Sequence, residues 1–359
     1  MNLDLITKMN PIEEFFSDKK SPKTKKIYKE YITYFEKFTE IKLVELLDME
    51  QADIQNIIIK YIVWMKKQGL SKSSQVGRVA PISTFVQSND IILNVKKISK
   101  FYEEQENNTE EDKAYSTDDL KAMLNIAKPR TRVMVLIYSS TGIRKSALFE
   151  LKLKHIEKIE EYGLYKFTIY PYSKTQSYET FCTPECAKEI DSYLQYRKDA
   201  GENLTKESPL VRNDFSKFNE ESINDVQQLR ENNVNTVIRQ LILKANIRNP
   251  NGNRLERKDK QLAHAFRKFF NTKLVEANVN YLYKEKFMGH KVSIGLDKSY
   301  FRPEEMLKEY VKAINNLTIS DEERLKVELK ENQIERSQYE SLRAEFLKFK
   351  EAMLKQKQK

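Results

Sequence analysis

The chain has 359 residues, 40% of them apolar, which suffices for packed cores and is too long for one ordinary domain. Its 63 Lys and Arg against 53 Asp and Glu leave a net charge of +10, favouring a polyanionic partner, nucleic acid or an anionic membrane surface, although a soluble basic protein with no polyanion has the same balance. No apolar run approaches the ~20 residues that span a bilayer, residues 1–10 lack a secretory apolar core, and Cys182 and Cys186 make no disulfide framework, so a cytoplasmic protein with no membrane partner is expected.

With only 8 Gly and 9 Pro, the fold class is mainly α. Ser21-Pro22 reads as an N-cap and first helical residue, followed by Ile27, Tyr31, Tyr34, Phe35 and Phe38 at helical spacing. A second helix is expected over 52–68, with Ile54, Ile57, Ile58, Tyr61, Ile62 and Met65 inward and Gly69 as its stop. A third starts near Lys72 with Val76, Val79, Ile82 and Phe85 inward, and Pro81 should start or kink a segment within it. A short fourth covers 95–101. Lys72, Lys96, Lys97 and Lys100 read equally as phosphate contacts or as a solvated face.

The stretch EEQENNTEEDK has no apolar residue and cannot join a core, so 1–102 is read as one helical domain and 103–114 as an acidic linker. A second domain spans 115–317. Ser116 or Thr117 caps its first helix, which carries Leu120, Met123, Leu124 and Ile126. The apolar VMVLIY run is a core helix ending at Thr141-Gly142, and a new helix is expected to hold Arg144 in its first turn, where backbone N–H groups favour an anion. Two clusters of β-formers flanking SKTQS read as a β-hairpin with Lys174 near its tip. Thr183-Pro184 caps the next helix, another covers 234–245, and a basic loop follows. In that loop Arg254, Arg257, Lys258 and Lys260 either face a polyanion or are solvated. Pro303 starts a helix to about 317 with Met306, Leu307, Tyr310, Val311 and Ile314 on one face. Ser320 to Glu323 is a capping box opening a charged helix, 318–359, whose Tyr339, Leu342, Phe346, Phe349 and Met353 step as in a short coiled coil.

Chemistry concentrates in the second domain. Arg144 and Arg267 offer planar, permanently charged, bidentate groups suited to a phosphate's oxygen pair. His264 lies one helical turn before Arg267, and His290 follows Gly289. Either imidazole can exchange a proton near neutral pH. Tyr300 carries a phenol that needs cationic neighbours or a base to attack. No metal or other cofactor is expected: Cys182 and Cys186 supply at most half a zinc site, and only His155, His264 and His290 could complete it.

Each element alone is weak. In order they read Thr-Gly-x-Arg, a hairpin Lys, His-x-x-Arg, Gly-His, then Tyr ten residues on, and this resembles the active site of the tyrosine recombinases, the phage-type integrases, over about 115–314. The ending SYFRPEE looks most like archaeal members and their viral or proviral relatives. The resemblance implies an N-terminal core-binding domain and a C-terminal catalytic domain clamping double-stranded DNA as two lobes, with a small β-hairpin or sheet in the latter. It implies cleavage and rejoining through a 3′-phosphotyrosine, a homo-oligomer on DNA with four protomers in the synapse, and a helix after the nucleophile that docks on a neighbour, although packing in cis reads as well. Carried over, Arg144, Lys174, His264, Arg267 and His290 are catalytic, Lys174 protonates the leaving 5′ oxygen, and Tyr300 is the nucleophile. Many members place an acidic residue three after the first Arg, where this chain has Ala147, with Glu150 a turn further on. Strand relaxation of the type IB topoisomerase kind and non-catalytic DNA binding are the alternatives.

Overall fold

In a computed structural model of the chain, the described residues are 10–19, 21–102, 113–247, 262–292 and 301–357. They form two compact units, divided at 109/110. The acidic stretch 103–112 and most of the basic loop, 248–261, lie outside the described residues, as does Tyr300.

The first unit is all helical: α1 (Pro11–Ser17), α2 (Pro22–Thr39), α3 (Gln51–Lys67), α4 (Lys72–Ser88) and α5 (Val95–Ser99), with a 3-10 stretch Leu43–Asp48 before α3. The caps are local chemistry: Ser21 Oγ accepts from the Thr24 N–H at 3.4 Å, and Asn94 Oδ1 from the Lys97 N–H at 2.9 Å. Phe35, Leu46, Ile54, Ile58, Tyr61, Ile62, Met65, Ile82 and Phe85 are buried in its core. Two expectations shift. Val76 faces solvent and Gln75 is buried, because the Gln75 amide donates to the Leu70 carbonyl at 2.5 Å and so enters the core satisfied. Pro81 lies inside α4 rather than at the start of a new segment, and its ring is buried.

The second unit surrounds α7 (Pro129–Thr141), which follows α6 (Thr117–Ile126). Ser116 is the cap of α6, and Ile126, expected inward, is exposed at its C-terminal end. Residues Val133 through Thr141 are all buried, so α7 shows no amphipathic face and is enclosed by the rest of the unit. Its hydroxyls are satisfied internally: Ser140 donates to the Leu136 carbonyl at 2.6 Å. After α8 (Ala147–Glu150) and a 3-10 turn, Leu153–His155, come β1 (Ile156–Ile159), β2 (Leu164–Ile169) and β3 (Tyr178–Phe181). They make an antiparallel sheet in the order β1-β2-β3, pairing Ile156 with Phe167 and Ile169 with Tyr178. The expected hairpin is β2–β3. β1 was not expected, because an edge strand reading IEKI, with both Glu157 and Lys158 exposed, has no alternating apolar pattern to reveal it.

Thr183 caps α9 (Pro184–Asp199), which packs on α7; α10 (Glu220–Asn224) and α11 (Glu231–Lys244) follow. Next come α12 (Leu262–Glu276), α13 (Tyr281–Phe287), α14 (Pro303–Val311), α15 (Ile314–Leu317) and α16 (Asp321–Lys357). Phe266, Phe269 and Phe270 seat α12 in the core, each contributing about 1.5–3 kcal/mol by burial. The helix expected from Pro303 to about 317 is broken between α14 and α15. Its stripe packs in cis: Met306, Tyr310, Ile314 and Leu317 are buried in this unit's own core, and the Tyr310 hydroxyl donates to the Ser140 carbonyl at 2.7 Å. The Glu185 carboxylate accepts the Ile319 and Ser320 N–H groups at 2.8 and 3.0 Å, anchoring the start of α16. Further along α16, Tyr339 and Phe346 are exposed, while the side chains of Leu342, Phe349 and Met353 lie outside what is described.

Candidate active site

The α7 helix ends in a left-handed residue, Gly142, with φ +59°. A Cβ there would sit 2.2 Å from the Phe270 ring of α12, so only glycine lets α7 stop against α12. Buried Ile143 then anchors the chain and leaves Arg144 exposed. Arg144 is in the connecting loop rather than in a first helical turn: α8 starts three residues later and is only four residues long. The helix-terminus contribution expected for Arg144 is therefore replaced by another device. Arg144 Nη2 donates to the Gly289 carbonyl at 3.2 Å.

Gly289 belongs to the end of α13. Its φ is +61°, its N–H bonds to the Lys286 carbonyl at 2.8 Å, and the His290 N–H bonds to the Glu285 carbonyl at 3.0 Å. That pair of bonds is a Schellman motif, which turns the chain sharply and sets the direction of the next side chain, His290. A Cβ on Gly289 would lie 2.4 Å from the Tyr178 ring of β3, so glycine is required twice over.

Arg267 reaches across from α12. It is only 6% exposed, and its guanidinium is held by backbone: Nη1 donates to the Gly142 carbonyl at 2.6 Å, and Nη2 donates to the Met288 carbonyl. Nη2 also lies 2.8 Å from His290 Nε2. A guanidinium has donors only, so Nε2 accepts and the ring proton sits on Nδ1. That proton is donated to Glu285 Oε2 at 2.6 Å. Glu285 therefore selects the tautomer of His290 in which Nε2 carries the lone pair. The chain Glu285–His290–Arg267 and the consecutive carbonyls of Met288 and Gly289 tie α12, α13 and the loop after α7 into one constellation.

The electrostatics favour an anion. Burial, and then the Arg144 charge beside it, pull the Arg267 guanidinium below its usual value, yet no value of that group loses its proton near neutrality. Two guanidiniums share a small volume without a carboxylate bonded to either among the described residues. Burial pushes the Tyr178 phenol up to about 12 against the pull of Arg267 and Arg144, so it stays protonated.

Of the residues expected at the site, Arg267 and His290 are in direct contact, and Arg144 bonds to the carbonyl of Gly289, the residue before His290. His264 is exposed in the first turn of α12, one turn before Arg267. Lys174 is exposed in the turn between β2 and β3. Ala147 is buried beneath the Arg144 loop, and Glu150 is exposed beside Ser146 and Tyr170 in a surface recess. The Gly289 carbonyl orients Arg144 where Ala147 cannot. Sequence reasoning missed Glu285 and Tyr178. Glu285 had one available signal, its position five residues before the His of a Gly-His helix end, where a Schellman turn brings the two together.

The Phage integrase family profile matches residues 113–305, more than half of the chain. Among solved structures, a XerH site-specific recombinase bound to palindromic difH substrate aligns with TM-score 0.50 and 15% identity, over 68% of this chain and 66% of that one. A lambda integrase (75-356) dimer bound to a COC′ core site aligns with TM-score 0.50 and 13% identity, over 80% and 94%. XerA recombinase aligns with TM-score 0.40 and 18% identity, over 83% and 94%. No curated protein matches the chain at a comparable level. The chain belongs to the phage integrase family, the tyrosine recombinases, and is an enzyme of site-specific DNA recombination.

Proposed function

We propose that this recombinase cleaves and rejoins duplex DNA through a 3′-phosphotyrosine on Tyr300. The observation that supports it most is the pair of guanidiniums, Arg144 and Arg267, held by the adjacent carbonyls of Gly289 and Met288 beside the basic nitrogen of His290. Arg267 commits three of its N–H donors to Gly142, Met288 and His290, and its remaining donors and those of Arg144 take the non-bridging oxygens of the scissile phosphate. The Tyr300 oxygen then attacks phosphorus in line. A Tyr–phosphorus bond forms and the bond to the 5′ oxygen breaks; the Arg267 N–H leaves His290 Nε2 for a phosphate oxygen, which frees that lone pair to take the phenolic proton, and Lys174 gives a proton to the 5′ oxygen. His264, one turn from Arg267, donates to the same phosphate. A 5′ hydroxyl from a second duplex reverses these steps, so the energy of the broken bond stays in the phosphotyrosine.

Double-stranded DNA is the partner on this reading. The +10 charge supports it, and so do the two neighbours of TM-score 0.50, one bound to a palindromic difH substrate and one to a COC′ core site. Four protomers act on two DNA sites. The exposed Tyr339 and Phe346 of α16 support a contribution of the tail to that assembly. The sequence SYFRPEE supports an archaeal viral or proviral source, and a nucleoid-associated cytoplasmic enzyme follows from its substrate.

A nicked suicide duplex tests the reading. Wild type gives a covalent adduct on a denaturing gel, and Tyr300→Phe, which loses only the phenolic oxygen, gives none while still binding DNA. An adduct with Tyr300→Phe would overturn the assignment. The buried Tyr310, its hydroxyl bonded inside the core, is not a substitute nucleophile.

A further inference from the structure

The turn that carries Lys174 is fastened on both sides by tyrosines. Tyr170, at the end of β2, has φ +50°, a left-handed conformation that bulky L-residues rarely adopt. Its carbonyl accepts the Ser173 N–H at 3.0 Å, which folds the chain back immediately before Lys174. Ser173 Oγ in turn accepts the Gln176 N–H at 3.1 Å on the far side of the tip. The twisted backbone sends the Tyr170 ring toward the loop after α7, where its hydroxyl shares a 2.9 Å hydrogen bond with Ser146 Oγ, two residues beyond Arg144. On the other side, the Tyr172 ring stands edge-on to His155, centroids 5.8 Å apart, with Lys154 Nζ 5.6 Å from its centre. His155 Nδ1 accepts the Lys152 N–H at 3.1 Å, so Nε2 carries the proton and donates toward the Tyr172 hydroxyl at 3.5 Å. Burial, then the charges of Lys154 and Lys152, hold this imidazole below its usual value and keep it neutral. Lys152 and Lys154 both bind Glu207, at 2.9 and 2.6 Å, which fixes the platform under Tyr172.

A general acid must be placed to within about a hydrogen-bond length of its leaving group, and an exposed lysine on an unfastened turn is not. A strained residue retained against its conformational cost, with its hydroxyl spent on the loop of the phosphate-binding arginine, is a device of position. We infer that Tyr170 is a positioning residue for proton delivery: through Ser146 it couples the turn bearing Lys174 to the loop bearing Arg144, with Tyr172 and His155 as the opposite anchor. This rests on the proposed role of Lys174 as the acid that protonates the 5′ oxygen. Neither Tyr170 nor Tyr172 touches the phosphate in this role.

Single-turnover cleavage of suicide duplexes with oxygen or sulfur at the 5′-bridging position tests it. A thiolate leaves without being protonated, so sulfur conceals any loss of acid delivery while leaving phosphate binding and attack unchanged. On the oxygen substrate Lys174→Ala should lose ~10²-fold or more, and Tyr170→Phe and Ser146→Ala about ten-fold each, the effect of one hydrogen bond. On the sulfur substrate all three should return to within about two-fold of wild type on the same scale. If Lys174→Ala is not rescued by sulfur, the acid assignment itself fails. If Lys174→Ala is rescued but Tyr170→Phe is equally slow on both substrates, or equal to wild type on both, the positioning role is overturned.

Discussion

Replacing Glu285 separates the tautomer of His290 from the rest of the site. The carboxylate sits 2.6 Å from Nδ1, with 19% of its side chain exposed against 39% for His290. In Glu285→Gln the amide oxygen can still accept from Nδ1, so geometry is kept and charge is lost. A charge-assisted hydrogen bond contributes roughly 1.5–3 kcal/mol and a neutral one roughly 0.5–1.5. The partial exposure of His290 puts the difference near the low end, about 1 kcal/mol, which is about five-fold in cleavage rate. Glu285→Ala removes the acceptor. Nothing then holds the proton on Nδ1, and a proton on Nε2 would face the donors of Arg267 across 2.8 Å. His290 must turn away, and the loss should reach ~10²-fold, the scale of a missing acid–base group. DNA affinity should not fall in either variant, because no cation is removed. The assay is single-turnover adduct formation beside equilibrium DNA binding, with ¹⁵N shifts of His290 reporting the protonated nitrogen. A Glu285→Ala enzyme that cleaves at the wild-type rate, or whose His290 keeps its proton on Nδ1, refutes the reasoning.

Gly289→Ala should unfold at lower temperature, by at least about 1–2 kcal/mol for the left-handed backbone alone, and lose adduct formation as the Tyr178 ring is displaced; thermal melts and the adduct gel check both. DNA affinity should fall steeply with salt, with a log–log slope of about −0.9 for each phosphate neutralised; a slope near zero would assign the +10 charge to something else. Cleavage should persist in EDTA, because Arg144 and Arg267 offset the phosphate charge themselves; activity that stops with chelator and returns with magnesium would contradict this. Tyr300→Phe should abolish the adduct and spare binding, as set out above.

Much of this protein is written locally. Ser21, Ser116 and Thr183 cap their helices through bonds to N–H groups three residues away, so the residue type and its place before an apolar repeat suffice to find them. Arg144, Arg267 and His290 are likewise found by residue type and order, and the fold gathers them around the carbonyls of Met288 and Gly289. β1 and Val76 were not legible: an edge strand with charged faces, and a glutamine satisfied by the Leu70 carbonyl just before its helix, both break the periodicity on which such reading depends. The active constellation is the clearest case of what tertiary structure alone decides. Arg144 is oriented by a backbone carbonyl 145 residues away, and Arg267 by carbonyls 125 and 21 residues away. Every residue carries a carbonyl, so sequence marks none of them as a ligand. Only the packing of α12 on α7, and the left-handed turns at Gly142 and Gly289, aim those particular oxygens at the guanidiniums. The sequence names the guanidiniums and the imidazole; burial against non-local backbone brings them together.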